Sequence, residues 1–386
     1  MSIRQTTTIG TTPTLFVSSQ PQSDSHQLLA DIFAAYYRAR ANKRNTASQM
    51  KFEAALSRNL VRLYESIRDR IYTPDRSICF IIHDPVQREV FAAAFRDRVV
   101  HHYLYEKLEP LFEPAFIHDS YSCRKGKGTL FGIERLEHHI RSCSDNFHRP
   151  CYALKLDIKG YFMSIDRNIL YSIVLERIDR HAAAGSLPDG FDYDTVVFLL
   201  HRTIFNDPTK GCRMRGGWDD WKGLPASKSL FKAKPGCGLP IGNLTSQLFS
   251  NVYLNELDQF VKRELGFRHY GRYVDDFYII DESYERLESA IPIIEDFLQT
   301  RLNLNLNKRK IHLNPVEQGV RFLGAVIAPS GRFLRAGKIH RIQRKLEETV
   351  CCESNPYQRE SVANSYRAHL SHFSNPLLPA AFLDSK

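Results

Sequence analysis

Two acidic positions stand where carboxylates are expensive. Asp157 lies near the end of the apolar run 151–158 (CYALKLDI). Asp275 and Asp276 sit side by side inside Tyr273-Val274-Asp275-Asp276-Phe277-Tyr278-Ile279-Ile280. Adjacent carboxylates in an apolar segment repel each other and lose hydration, and a bound divalent cation would offset both effects. A hard ion such as Mg²⁺ takes a few oxygen ligands and leaves room for phosphates and water. Two such ions about 3.5–4 Å apart can activate a 3′-hydroxyl and stabilise the leaving oxygen of a phosphoryl transfer. An isolated Asp-Asp pair is more often a solvated turn, so the surrounding sequence decides.

The elements that would position these carboxylates follow from periodicity. Residues 151–158 alternate and predict a strand ending near Asp157; residues 272–281 predict a hairpin around the two aspartates. Helices are predicted over 244–265 and over 284–302 despite Pro292, and a strand over 320–327. Upstream, residues 1–30 are rich in Ser, Thr and Gln and predict a flexible tail. One helical stripe follows at Ile32, Phe33, Tyr36 and Tyr37. Another runs through Phe52, Leu56, Leu60, Leu63 and Ile67. Residues 77–83 (SICFIIH) predict a buried strand, 86–109 a helix, and 167–180 a further helix. The Gly- and Pro-rich stretch 206–237 holds both tryptophans and predicts an irregular insertion. A basic helical tail begins near Gly337.

The chain has 386 residues, 43% of them hydrophobic, and a formal charge of +10. These are globular values, and the positive excess suits a polyanion partner. No apolar run approaches the roughly 20 residues of a membrane span. The opening Met1-Ser2-Ile3-Arg4 predicts no secretory signal, so a cytoplasmic setting and reduced thiols are expected for the eight cysteines. His138, His139 and Cys143 lack a second ligand pair and do not predict a zinc site.

The order of motifs adds what composition cannot. Tyr273-Val274-Asp275-Asp276 resembles the YxDD signature of reverse transcriptases. Leu154-Lys155-Leu156-Asp157-Ile158-Lys159-Gly160-Tyr161-Phe162 resembles their motif A, and Gly238-Leu239-Pro240-Ile241-Gly242-Asn243-Leu244-Thr245-Ser246-Gln247 their motif B. Leu304-Asn305-Leu306-Asn307-Lys308-Arg309-Lys310-Ile311 resembles motif D, and Val320-Arg321-Phe322-Leu323-Gly324 motif E. The IGxxxSQ form of motif B is similar to that of diversity-generating retroelements, within a group II intron-like lineage. Antiphage-defence reverse transcriptases share parts of these motifs and are an alternative setting. An inactive RNA-binding scaffold is a third reading, disfavoured by the intact aspartates.

The resemblance implies an α+β right-hand polymerase fold with fingers, an antiparallel-sheet palm and a short helical thumb. The expected boundaries are 1–30 for the tail, 31–150 for N-terminal helices and fingers, 151–328 for the palm, and 329–386 for the thumb. It implies RNA-directed DNA synthesis with two Mg²⁺ ions, Mn²⁺ being a substitute. The partners implied are a structured template RNA, the RNA/DNA hybrid and dNTPs, with a basic accessory protein or self-association in addition and no membrane.

Roles are likewise implied residue by residue. Asp157 and Asp275 would be the principal metal ligands, the Ile158 carbonyl would complete the triphosphate-side site, and Asp276 would assist. Lys310 matches the motif D lysine, a general acid near the leaving pyrophosphate. Phe162 matches the aromatic gate that excludes a ribose 2′-hydroxyl. Arg88 is the candidate triphosphate clamp, with Arg76 its rival. Ile241 and Gly242 would line the incoming nucleotide, isoleucine standing where many relatives carry glutamine. Arg124, Lys125 and Lys127 would meet template phosphates from a Gly-rich loop. Arg335, Lys338 and Arg341 would follow the duplex backbone from one helix face.

Overall fold

The computed structural model describes residues 21–41, 46–84, 86–352 and 355–374. Helix α1 (Pro21–Arg40) begins ten residues inside the stretch expected to be a tail. Proline suits a first helical turn, and Leu28, Ile32, Ala35, Tyr36 and Ala39 bury one face of the helix. The rest of the expected tail lies outside the described residues. The next apolar stripe is broken into α2 (Ala47–Glu53) and α3 (Leu56–Arg68). Strand β1 (Ile78–Ile82) is only half-buried, with Ile78 and Ile82 exposed, where a buried strand was expected.

Residues 86–109 are not one helix. They split into β2 (Arg88–Ala92) and α4 (Phe95–Phe112) because residues 88–92 pair along the whole of β1. Next come α5 (Thr129–Cys143), β3 (Tyr152–Asp157), α6 (Tyr161–Ser164), α7 (Arg167–Ala183) and α8 (Tyr193–Ile204). The expected insertion is irregular apart from the two-residue β4 (Arg213–Met214) and three short 3₁₀ turns. Helix α9 (Leu244–Gln259) continues into a π-helical turn.

The hairpin strands β5 (His269–Tyr273) and β6 (Asp276–Asp281) lead into α10 (Tyr284–Leu302) and β7 (His312–Pro315). The single strand expected over 320–327 is a hairpin of β8 (Val320–Phe322) and β9 (Ala325–Ala328). Leu323 and Gly324 both take positive φ, which a tight two-residue turn requires. Strand β10 (Gly331–Leu334) extends that hairpin, so the region expected as a helical thumb, 329–386, opens with a strand before α11 (Ala336–Cys352) and α12 (Pro356–Leu370).

Among the described residues the strands form three sheets, in the orders β2-β1-β4, β5-β6-β3-β7 and β10-β9-β8. The four-stranded sheet is antiparallel throughout. Leu154, Leu156, Phe277 and Ile279 join a core with α4, α7, α9 and α10 on one face. On the other, Ala153, Tyr278 and Ile280 pack with α5 and the β8–β10 sheet. This is the α+β right-hand polymerase architecture, with the four-stranded sheet as its palm. No helix among the described residues is long and apolar enough to cross a membrane.

Candidate active site

Register brings the aspartates together. Antiparallel pairing of β3 with β6 sets Asp157 opposite Asp276, and Asp275 lies in the turn just before β6. The Ile158 amide donates to the Asp275 carbonyl at 3.3 Å, tying the end of β3 to that turn. Val274 sits at φ +57°, a region that β-branched residues rarely adopt. Arg272 holds it there: its Nη1 donates to the Val274 carbonyl at 3.0 Å. The guanidinium is fully buried and bidentate to Asp258 of α9, at 2.7 and 2.6 Å. Asp258 also accepts from the Tyr270 hydroxyl at 2.6 Å. The acidic turn is thereby fixed to the helix that follows motif B.

The electrostatics match a site built for positive charge. Burial, then the neighbouring Asp157, pushes the Asp275 carboxyl up to about 6. Burial also raises Asp276, against the opposing charge of Lys155. Lys155 Nζ lies 3.1 Å from Asp276 Oδ2, and Lys310 Nζ lies 2.7 Å from Asp157 Oδ2. Asn307 Nδ2 donates to Asp157 Oδ1 at 3.2 Å, and the Asn307 amide donates to the Asp157 carbonyl at 2.8 Å. Lys155 and Asn307 were given no role from sequence. Strand alternation, which places Lys155 on the face of Asp157, was the signal for the first.

The oxygens gathered here are of the kind a hard cation takes. Asp276 Oδ1 is buried and has no hydrogen-bond partner, which is costly unless a cation or water meets it. Carboxylate oxygens are the ligands Mg²⁺ and Mn²⁺ take. Among the described residues, however, no three acidic, His or Cys side chains form a ready-made cage. Lys310 pairs with one oxygen of Asp157, and Lys155 with one of Asp276. The residues fit a cation in kind, since Mg²⁺ is usually bound by one or two carboxylates plus water and phosphate oxygens.

The nucleotide-side residues fall close by. Tyr161 is buried, with its hydroxyl donating to the Ser250 carbonyl at 2.6 Å, whereas Phe162 is half-exposed. Of the two neighbouring rings, Phe162 is the less buried, and it packs partly against the core. The Phe162 carbonyl accepts from the Leu239 amide at 2.8 Å, which joins motif A to motif B. Gly242 has φ +113°, and a Cβ there would meet Val90 Cγ1 at 2.9 Å, so glycine is required. The Ile241 carbonyl accepts from the Phe91 amide at 3.1 Å, and its side chain packs beside Phe91, Met163 and Leu230. Arg88 is exposed on β2, two residues from Val90 and so on the same sheet face.

The basic track is only partly as expected. Arg124 is a structural residue: it is bidentate to Glu113 and donates to the Ile117 and Ser120 carbonyls at 2.7 and 2.9 Å. Lys125 is exposed, while Lys127 bonds the His118 carbonyl and lies over the Phe131 ring. Arg335 is exposed just before α11, and Lys338 and Arg341 are half-buried on it.

Residues 209–327 match the family described as reverse transcriptase (RNA-dependent DNA polymerase). The matched segment holds motif B, the aspartate turn and Lys310, and stops short of Asp157. This chain is thus similar to reverse transcriptases over residues 209–327, within an α+β fold. Among individual proteins, Protein YkfC of Escherichia coli (strain K12) is 24% identical, the alignment covering 60% of each chain. The chain spans about 60% of the length of that curated relative. Solved structures that it resembles include apo telomerase from Candida tropicalis lacking its C-terminal domain, at 13% identity and TM-score 0.45. That match covers 66% of this chain and 53% of the other. Telomerase from Candida albicans with a fragment of telomeric RNA matches at 12% identity and TM-score 0.46, covering 84% and 59%.

Proposed function

We propose that the protein is an RNA-directed DNA polymerase that extends a 3′-hydroxyl on an RNA template. The observation that carries this is the meeting of Asp157, Asp275 and Asp276 at adjoining strand ends, with Lys310 and Asn307 on Asp157. In the reaction the 3′-oxygen bonds to the α-phosphorus of a dNTP, its proton leaves, and pyrophosphate departs. A pair of Mg²⁺ ions, held by Asp157, Asp275, the Ile158 carbonyl and Asp276, would supply Lewis acidity at the two oxygens.

The chain's own groups do the rest. Lys310 is poised to release Asp157 and deliver a proton to the departing pyrophosphate. Arg88 faces the same side as motif B and can clamp the triphosphate. Phe162 excludes a 2′-hydroxyl by volume. Lys125, Arg335, Lys338 and Arg341 offer charge to the hybrid backbone. The isoleucine of motif B supports the finer reading of a diversity-generating retroelement enzyme copying a structured RNA.

The test is extension of a DNA primer on a heteropolymeric RNA template with dNTPs and Mg²⁺, using wild type and Asp275→Asn. Extension by wild type and loss in the variant, with unchanged circular dichroism, is expected. Extension near the wild-type rate by a folded Asp275→Asn protein would refute the site.

A further inference from the structure

The segment 206–237 has almost no regular structure, yet it is held firmly. Glu89 on β2 is fully buried and accepts three hydrogen bonds from it. They come from Trp221 Nε1 at 2.6 Å, the Ser229 hydroxyl at 2.8 Å and the Leu230 amide at 2.5 Å. Gln87 Nε2 adds bonds to the Asp220 and Lys222 carbonyls at 2.8 and 3.1 Å. The Arg213 and Arg215 amides pair with the Ser77 and Cys79 carbonyls at 2.8 and 2.9 Å. Three satisfied donors on one buried carboxylate make a rigid mount.

What the mount presents is unusual for a surface. Trp218 is 61% exposed, although it has Trp221 and Phe231 at 5.5 and 5.4 Å beside it. Ile78 and Ile82 of β1 are also exposed, on the sheet face opposite Glu89. Lys210, Arg213, Arg215, Lys222, Lys228, Lys232 and Lys234 are all exposed, against three carboxylates in the same 32 residues. Lys210 and Lys222 pair with Asp207 and Asp219. Among the described residues the other five have no carboxylate partner. Arg215 lies 3.9 Å over the Phe80 ring. Phe80 is opposite Val90 in register, hence on the sheet face that meets Gly242 of motif B.

We propose that Trp218 and the cations around it form a binding platform for single-stranded RNA, taking the unpaired template ahead of the active site. The proposal rests on the polymerase reading above and names where its template runs. Exposed rings on a fixed mount stack bases of any sequence, and surrounding cations meet the phosphates. The segment passes from Arg215, over Phe80 on the Val90 face of the sheet, round the β4 edge to Trp221 and Trp218 on the Glu89 face, so cations and rings flank one edge of the sheet.

The two tryptophans of the chain are Trp218 and Trp221, so tryptophan emission, excited apart from tyrosine, reports on this segment alone. The probes are an oligouridine strand, an RNA/DNA hybrid with a 5′ template overhang, and the same hybrid blunt-ended, each titrated into the full-length protein. The strand and the overhang hybrid should quench the emission, and the blunt hybrid should not. Trp218→Phe should keep Trp221 emission and lose most of the quenching. Trp218→Ala should weaken overhang binding about tenfold and leave blunt-hybrid binding unchanged. Lys232→Gln with Lys234→Gln should reduce the salt slope of overhang binding by about 1.4. Overhang binding by a folded Trp218→Ala within about twofold of wild type would overturn the platform. So would equal quenching by the blunt hybrid. These readouts need no turnover: quenching that persists in a protein unable to extend primers would sink the polymerase reading and uphold the platform.

Discussion

Arg272→Lys isolates the contribution of the buried arginine to the geometry of the aspartate turn. Lysine keeps the charge and can still reach Asp258, but its single ammonium cannot also hold the Val274 carbonyl as the planar fork does. The wild-type guanidinium makes two bonds to Asp258, one to Val274, and further contacts to the Ser120 hydroxyl at 3.2 Å and Asn251 Oδ1 at 3.4 Å. A left-handed conformation at a non-glycine residue costs about 1–2 kcal/mol. A hydrogen bond from a charged donor returns about 1.5–3 kcal/mol. The Val274 bond is therefore just large enough to hold the turn, and without it the strain is released by movement of residues 274 and 275.

The expected loss of stability is about 2–4 kcal/mol, within the margin of a folded domain. A displacement of about 1 Å at the carboxylates is worth roughly a hundredfold in rate. Single-turnover incorporation should therefore fall between tenfold and a hundredfold, while the apparent dNTP Kd moves by less than about threefold. Thermal melting fixes the folded fraction, and rapid quench gives the rate. A folded Arg272→Lys protein with a rate within about twofold of wild type would refute the reasoning. A weaker Kd at an unchanged rate would move the role from carboxylate placement to substrate binding.

Phe162→Ala should raise rNTP incorporation relative to dNTP at little loss of dNTP rate; an unchanged ratio in an active variant would make Phe162 a packing residue. Ile241→Gln puts an amide where dispersion alone now acts and should improve selectivity against mispairs by up to about tenfold, one net hydrogen bond. Equal error spectra in comparably active proteins would assign Ile241 to its packing against Phe91 and Leu230. Burial pushes the Asp97 carboxyl up to about 6, against the opposing bond from the Tyr72 hydroxyl at 2.8 Å. Its folded pKa lies above the unfolded one, so this group adds stability as pH falls from about 7 toward 4. Asp97→Asn removes that gain: its Tm should exceed that of wild type near pH 7.5 and converge with it near pH 4.5, and parallel curves would contradict the assignment.

The sequence by itself determined the candidate chemistry and much of the palm. Carboxylates inside apolar runs are rare, so Asp157, Asp275 and Asp276 stand out as candidates, but the turn expected on the two aspartates falls one residue earlier, on Val274 and Asp275. Also legible were α9 and α10, whose apolar spacing is regular. The tertiary structure decided everything that depends on a distant partner. Residues 86–109 split into β2 and α4 because β1 supplies a hydrogen-bonding edge, which periodicity does not encode. Residues 320–327 split because residues 323 and 324 turn back for β9. Arg124 reads as a phosphate ligand until Glu113 and two carbonyls are seen to enclose it. Arg272, Asp258, Lys155, Asn307 and Glu89 owe their roles to contacts across the fold. A charged side chain looks alike in sequence whether it meets solvent or a buried partner, and only three-dimensional packing distinguishes the two.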